Sequence, residues 1–447
     1  MSTEKLAILG GSPVISKDAP ADYLFKWPII TKEDEDAALE VIRSGDFSGT
    51  AITWKFEEEF AAWQGSRYAL SFCNGTQALA AAMFAIGLGA GDEIICTTKT
   101  YWASITPALL FGAKPVFCNI NEMLSMDPDD LEKRITPRTK AIMAVHYMAY
   151  PCDMDRIMEI AHRHDLTVIE DVSHAQGGYY RGRKLGTIGH IAAMSLMSGK
   201  SLAAGEGGML VTDDSAMYQR ALAYGHYERN NAKNIQLPDL VPYHGLPLGG
   251  VKGRLNQVAA AIGRVQLKHY DTRIGEIDQA MTHFWDLLEG LPGIKAIRTE
   301  KGSGSTMAGW YAASGAYFPE QLHGLSAKRF CEAVTAEMNG TLSIWAGGNF
   351  CLHSHKLFSD FDFRGVGRPS SIEYTPEDAY DGNADCDGSV GMFSFSIPWF
   401  KHYDPYWVEQ YARCFQKVVE NHMQLTDRAE ETQREQGRWF GFQNQED

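Results

Sequence analysis

The chain has 447 residues with an ordinary apolar share, enough to bury a large core and to form two or three domains. Its formal net charge of -15 argues against the basic face that nucleic acid or an anionic membrane surface requires. No stretch approaches the roughly 20 apolar residues of a membrane span, residues 1–5 lack signal-peptide character, and the eight cysteines show neither C-x-x-C nor metal-like spacing. The expectation is a cytoplasmic protein with reduced, buried thiols and no metal site.

From about residue 69 to 212, short apolar runs alternate with helix-like segments. Strand-like runs fall at 93–97, 114–118, 141–146 and 166–171, and the intervening 76–87, 128–134 and 154–164 read as helices. This alternation predicts a mostly parallel sheet covered by helices on both faces. Two further strand-like runs, 190–197 and 208–212, have no helix between them, so that edge of the sheet is expected to be mixed. Residues 255–291 read as long helix, broken near Pro292-Gly293. A second α+β region then runs to about residue 423, with helices expected at 327–338 and 405–422. The tail from Thr426 is rich in Gln, Glu and Arg and reads as a solvated end. The division expected is 1–254 as a large domain with an N-terminal segment, 255–425 as a helical linker and small α+β domain, and 426–447 as a polar tail. Glycines and acidic residues cluster in a long loop at 360–387.

Three motifs sit at the ends of expected strands, where ligands bind parallel sheets. Cys73-Asn74-Gly75-Thr76 follows a strand-like run and opens a helix, offering backbone N–H groups and a helix N-terminus to an anion. By itself this is an ordinary helix cap. Val168-Ile169-Glu170-Asp171 is an apolar strand ending in two carboxylates, which suits a helix cap, a metal ligand or a partner for a cationic ring nitrogen. His174 lies within reach of the same place. Ser195 to Ser201 carries Gly199-Lys200-Ser201, but Met194 stands where a nucleotide-binding P-loop needs glycine. Lys200 instead sits among small residues, where loss of solvent makes a lysine nucleophilic toward carbonyls. A phosphate seat, a carboxylate for a pyridinium nitrogen and a nucleophilic lysine are together the parts that a pyridoxal 5'-phosphate (PLP) enzyme needs.

The ordered motifs Asn-Gly-Thr-x-Ala-Leu (74–79), Gly-x-Gly-x-Gly-Asp-Glu (87–93), Thr-Tyr-Trp-Ala-Ser (100–104), Ile-Glu-Asp (169–171) and Ser-x4-Lys-x4-Gly-Glu-Gly-Gly (195–208) resemble the DegT/DnrJ/EryC1/StrS family of sugar aminotransferases. Leu-Gly-Gly-Ser-Pro (9–13) and Ala-Ala-Ala-Ile-Gly-Arg-Val-Gln-Leu (259–267) fit it too. The resemblance implies an aspartate-aminotransferase-like α/β fold (PLP fold type I). It implies that Lys200 holds PLP, that Asp171 pairs with the ring nitrogen, and that His174 lies near the ring hydroxyl. Tyr101 would stack on the ring, and Gly75, Thr76 and Ser195 would bind the phosphate. It also implies glutamate or glutamine as amino donor, a keto-sugar or keto-cyclitol as acceptor, and a homodimer with shared active sites. The Ser-Gly-Lys-x-Leu-x-Ala-Gly-Glu-Gly-Gly form is similar to the branch that aminates scyllo-inosose or makes aminohydroxybenzoate.

The chain departs from the family in places. Where members carry a Gly-Tyr-Asn-Tyr-Arg loop that reaches the neighbouring subunit's phosphate, this chain has Gly250-Val251-Lys252-Gly253-Arg254, and Lys252 is the candidate contact. Ala149 replaces a common glycine. His226, Arg229, His353 and His355 lie in segments that could line the substrate side but read more readily as surface or structural polar residues. Phe47, Ser48 and Gly49 fall in the loop where members meet substrate. Dehydration, aminohydroxybenzoate-type aromatisation and a non-catalytic regulator on the same fold are the competing readings.

Overall fold

The computed structural model describes residues 4–349, 351–362, 365, 372 and 393–425. The order of the principal elements follows the expected alternation. Helices α1 (Lys32–Ser44) and α2 (Ala51–Gln64) precede β1 (Tyr68–Phe72) and α3 (Gly75–Ala85). Then come β2 (Glu93–Thr97), β3 (Lys114–Cys118), α4 (Pro128–Lys133), β4 (Thr139–Val145), α5 (Met154–Arg163) and β5 (Thr167–Asp171). A two-stranded ribbon, β6 (Tyr179–Tyr180) and β7 (Arg183–Lys184), leads to β8 (Ile191–Ser195), β9 (Gly208–Thr212) and α6 (Ser215–Gly225).

Seven strands form one sheet in the order β1-β9-β8-β5-β4-β2-β3. Strands β3, β2, β4, β5 and β8 are mutually parallel. Only β9 is reversed, because it returns directly from β8 and pairs antiparallel with both β8 and β1. The mixed edge expected from the missing helix is therefore present. The carboxyl ends of β1, β2, β4, β5 and β8 all open on one rim, and the β8–β9 connection carrying Lys200 crosses it. Helix α3 is buried along most of its length, which suits its alanine-rich, nearly uncharged sequence, and it packs on β8, β9 and α6.

Helix α7 (Gln257–Leu287) spans 31 residues, about 46 Å at 1.5 Å per residue. It packs against α1, α2 and α10 (Pro405–Glu420). A second sheet follows, antiparallel in the order β10 (Ile294–Ala296), β11 (Ser314–Tyr317) and β12 (Phe393–Ser396). Helix α8 (Ala327–Glu337) packs on this sheet and on α10, and the short α9 (Lys356–Asp360) follows. One side chain is central to the docking of the N-terminal segment on α8 and α10. The buried Glu337 carboxylate accepts from the N–H groups of Ala7 (2.8 Å) and Val14 (3.2 Å) and pairs with Lys417 Nζ at 2.8 Å.

No helix among the described residues is long and apolar enough to cross a membrane. Six described cysteines are free thiols, five of them buried. Cys351 is instead disulfide-bonded, which corrects the expectation of reduced thiols throughout. Most of the glycine- and acid-rich stretch at 360–387 and the whole tail from Thr426 lie outside the described residues.

Candidate active site

The chain leaves β1 through Cys73 and enters α3 with Asn74 as its cap, whose Oδ1 accepts from the Gln77 N–H at 2.9 Å. The N–H groups of Gly75 and Thr76 find no acceptor among the described residues, as the first turn of a helix dictates. Both residues line a cavity at the rim. Glycine is required at position 75 because a Cβ there would lie 2.7 Å from Ser195 Cβ and 2.8 Å from its Cα. Gly208 has the same function from the other side, where a Cβ would stand 2.3 Å from the Asn74 carbonyl oxygen. The helix N-terminus is thereby pressed against the end of β8 and the start of β9.

The two carboxylates at the end of β5 point to opposite faces, as period-two alternation requires. Glu170 is fully buried and structural. Its Oε1 accepts from the Ile188 and Gly189 N–H groups at 2.8 and 2.6 Å. Its Oε2 accepts from Gly186 N–H at 2.8 Å and from His146 Nε2 at 3.0 Å. His146 Nδ1 accepts from Cys152 N–H at 3.1 Å, so the proton sits on Nε2. Burial pushes the Glu170 carboxyl up, but the bonds from His146, Gly186 and Gly189 outweigh it and hold it below its ordinary value. Asp171 faces the cavity. Its Oδ2 accepts from Ser104 Oγ at 2.7 Å and its Oδ1 from Ser173 N–H at 3.0 Å. Ser104 Oγ in turn lies 3.0 Å from Thr100 Oγ1.

Lys200 is 7% exposed. Its backbone is fixed at both ends: the N–H donates to Met197 O at 2.8 Å, and the carbonyl accepts from Trp27 Nε1 at 2.9 Å. The next residue, Ser201, lies in a buried network with Gln176 Oε1 (2.9 Å) and Tyr270 OH (2.8 Å). Nζ stands 4.2 Å from the ring centroid of Tyr311. Burial lowers the Lys200 amine to about 8, and the opposing charge of Asp171 limits the fall. His174 is held well below its ordinary value by burial and by the nearby Lys200 charge. Its Nδ1 accepts from Met148 N–H at 3.2 Å, so in the neutral ring Nε2 carries the proton.

Gly75, Thr76, Tyr101, Asp171, His174, Ser195 and Lys200 thus line one cavity of about 230 Å³. Lys252 does not join them. It is exposed and its Nζ lies 5.7 Å from the Tyr227 ring, although its segment is tied to the turn that enters α3 by a 2.6 Å bond from Cys73 N–H to Gly253 O. His226 and Arg229 are structural: the first is buried edge-on to Phe72, and the second pairs with Glu57 Oε2 at 2.7 Å. His355 caps α9, and His353 contacts Thr98. Phe47 is exposed, and its carbonyl accepts from Gln257 N–H at 3.2 Å.

Tyr147, Tyr311 and Asn349 line the cavity without having been singled out in the sequence. Tyr311 reaches it on a segment in which Ala308, Trp310 and Ala312 all adopt positive φ, a local conformation with no signature in those residue types.

A large mostly parallel sheet, a smaller antiparallel one, and a buried lysine and aspartate at the shared rim define the aminotransferase fold of PLP type I. An aminotransferase from Psychrobacter cryohalolentis superposes with a TM-score of 0.75 at 29% identity, covering 89% of this chain and 99% of that one. Residues 28–342 match the model of the DegT/DnrJ/EryC1/StrS aminotransferase family, and the chain belongs to that family of PLP-dependent enzymes. It is 32% identical over 350 residues to the L-glutamine:2-deoxy-scyllo-inosose aminotransferase of Streptomyces kanamyceticus, covering 76% of this chain and 79% of that protein. It is 40% identical over 248 residues to the GDP-perosamine synthase of Escherichia coli O157:H7, covering 55% and 65% respectively.

Proposed function

We propose that this chain binds PLP through Lys200 and transfers an amino group from L-glutamine or L-glutamate to a keto-sugar or keto-cyclitol. The observation that carries the reading is the pairing, across one cavity, of a buried, easily deprotonated lysine with a buried carboxylate that has no salt bridge among the described residues. The residues present fit the cofactor's three demands. The free N–H groups of Gly75 and Thr76, with the Ser195 hydroxyl beside them, suit a phosphate. Asp171 is oriented by Ser104 and Ser173 to meet a protonated ring nitrogen. Tyr101 supplies an aromatic face to a planar ring.

When bound, PLP supplies an electron sink for the substrate carbon that carries the migrating nitrogen. The protein's part is acid–base chemistry and positioning. Lys200 Nζ, neutral for a substantial fraction of the time near pH 8, is the group suited to take and return a proton in this cavity. Asp171 holds a proton on the ring nitrogen by its negative charge. His174 Nε2–H is the donor available to an oxygen on the ring. Lys252, exposed and clear of this chain's own cavity, is suited to a phosphate in a neighbouring subunit of a homodimer.

The name of the Streptomyces kanamyceticus relative supports glutamine as donor and a scyllo-inosose-type cyclic ketone as acceptor. The test is a visible absorption spectrum of the protein with PLP, followed by addition of each donor. Colour that is lost on adding L-glutamine or L-glutamate, and restored by a keto-cyclitol, is expected. A protein that stays colourless with PLP contradicts the cofactor role; a coloured one indifferent to both donors contradicts the transfer.

A further inference from the structure

Asn349 is 5% exposed and lines the cavity, yet its Oδ1 is buried with no hydrogen-bond partner among the described residues. A buried amide oxygen left unpaired is destabilising, so such groups call for an explanation. The segment that presents it is firmly placed. Gly347 N–H donates to Ser394 O at 2.7 Å on β12, and Leu352 N–H donates to Thr98 O at 2.8 Å beyond the end of β2. Gly348 passes Tyr147 and Met148 so closely that a Cβ would stand 3.3 Å from Met148 Cε. Asn349 is therefore fixed between the two sheets while its side-chain oxygen stays unpaired.

We infer that Asn349 is a specificity-determining residue that accepts a hydrogen bond from a hydroxyl of the ketone substrate, which marks that substrate as a polyhydroxylated ring ketone; this rests on the aminotransferase reading above. An amide oxygen needs a donor. A carboxylate is acceptor-only and does not satisfy it, whereas a ring hydroxyl both donates and accepts; the L-glutamine carboxamide also carries donors, and the comparison of deoxygenated ketones below separates the two. The neighbouring groups match the same chemistry. The Tyr147 hydroxyl lies 3.5 Å from the Asn349 backbone nitrogen, and the Tyr147 ring lies 5.6 Å from His174. A side-chain acceptor and a hydroxyl thus adjoin at the cavity wall, a pairing suited to adjacent ring hydroxyls.

The experiment compares scyllo-inosose with its singly deoxygenated analogues as amine acceptors, using the holoenzyme first loaded from L-glutamine and following single turnovers by absorbance. The wild-type enzyme is expected to discriminate about tenfold or more in kcat/KM against the analogue lacking the hydroxyl that Asn349 reads. In Asn349→Ala that discrimination is expected to fall below about threefold, while the ranking of the other analogues persists. Asn349→Asp, isosteric and still an acceptor, replaces it should the alanine variant fail to fold, and is expected to keep the discrimination that a control Asn349→Leu loses. An unchanged deoxygenation profile in Asn349→Ala overturns the inference, as does a wild-type enzyme that loads normally and ignores every ketone of the set. A wild-type enzyme that does not load from L-glutamine or L-glutamate overturns the aminotransferase reading itself.

Discussion

Gly75→Ala is the smallest change that should damage the proposed phosphate seat. The added Cβ would lie 2.7 Å from Ser195 Cβ and 2.8 Å from its Cα. Carbon contacts settle near 3.5 Å or more, so the first turn of α3 must retreat by about 0.8 Å. Ser195 cannot yield instead, because β8 is held between β5 and β9 and Gln176 Nε2 donates to the Ser195 carbonyl at 2.7 Å. Overpacking of this kind costs about 1–3 kcal/mol of stability. Displacing the Gly75 and Thr76 N–H groups weakens charge-assisted bonds of about 1.5–3 kcal/mol each, so PLP affinity should fall about tenfold to a hundredfold. An absorbance titration with PLP gives the affinity, and thermal unfolding of the apoprotein gives the stability. A folded Gly75→Ala protein that binds PLP within twofold of wild type would refute the reasoning.

Two other predictions concern charge. The Lys200 amine falls from the ordinary lysine value of 10.5 to about 8, so the reaction of the apoprotein with PLP should gain speed with pH and level off above about 8. Because Asp171 opposes this fall, Asp171→Asn should move the midpoint lower still; a midpoint near 10 in either protein would contradict the assignment. The sign for stability follows: the unfolded chain holds more protons between about pH 8 and 10.5, so this lysine's contribution to folding grows with pH across that window. Glu170→Gln replaces two acceptor lone-pair sites facing Gly186 N–H and His146 Nε2–H with an NH2 group, at about 1–3 kcal/mol for each donor left unpaired. Urea unfolding should show a loss of about 2–5 kcal/mol; a loss under about 1 kcal/mol would show that the 186–189 turn does not depend on this carboxylate.

Much of this was legible in the sequence because local rules and the fold agree. The strands 93–97, 114–118 and 208–212 are found where period and composition placed them, and the missing helix after β8 correctly foretold the reversed β9. Helix ends were less legible: the long helix stops at Leu287, short of Pro292, because it turns at Leu288 to Gly290 before the proline is reached. The site divides along the same line. Asp171 stands out as a carboxylate ending an apolar strand, and Lys200 as a lysine among small residues on the connection that follows β8. Tyr311 and Asn349 arrive from far along the chain on irregular backbone, where neither periodicity nor motif spacing exists. Of the paired carboxylates, the motif resemblance singled out Asp171; alternation on β5 turns Glu170 into the structural clamp and Asp171 toward the cavity. Ala149, standing where glycine is usual, does adopt positive φ at 66°, so the backbone kept the turn although the residue changed.

The central claim is that Lys200 carries PLP. Borohydride reduction of the PLP-loaded protein, followed by proteolysis and mass spectrometry, locates the attachment directly. The cofactor mass on the peptide bearing Lys200, absent in Lys200→Ala, is the predicted result. Label on another lysine such as Lys184 or Lys401, or none at all, would contradict it.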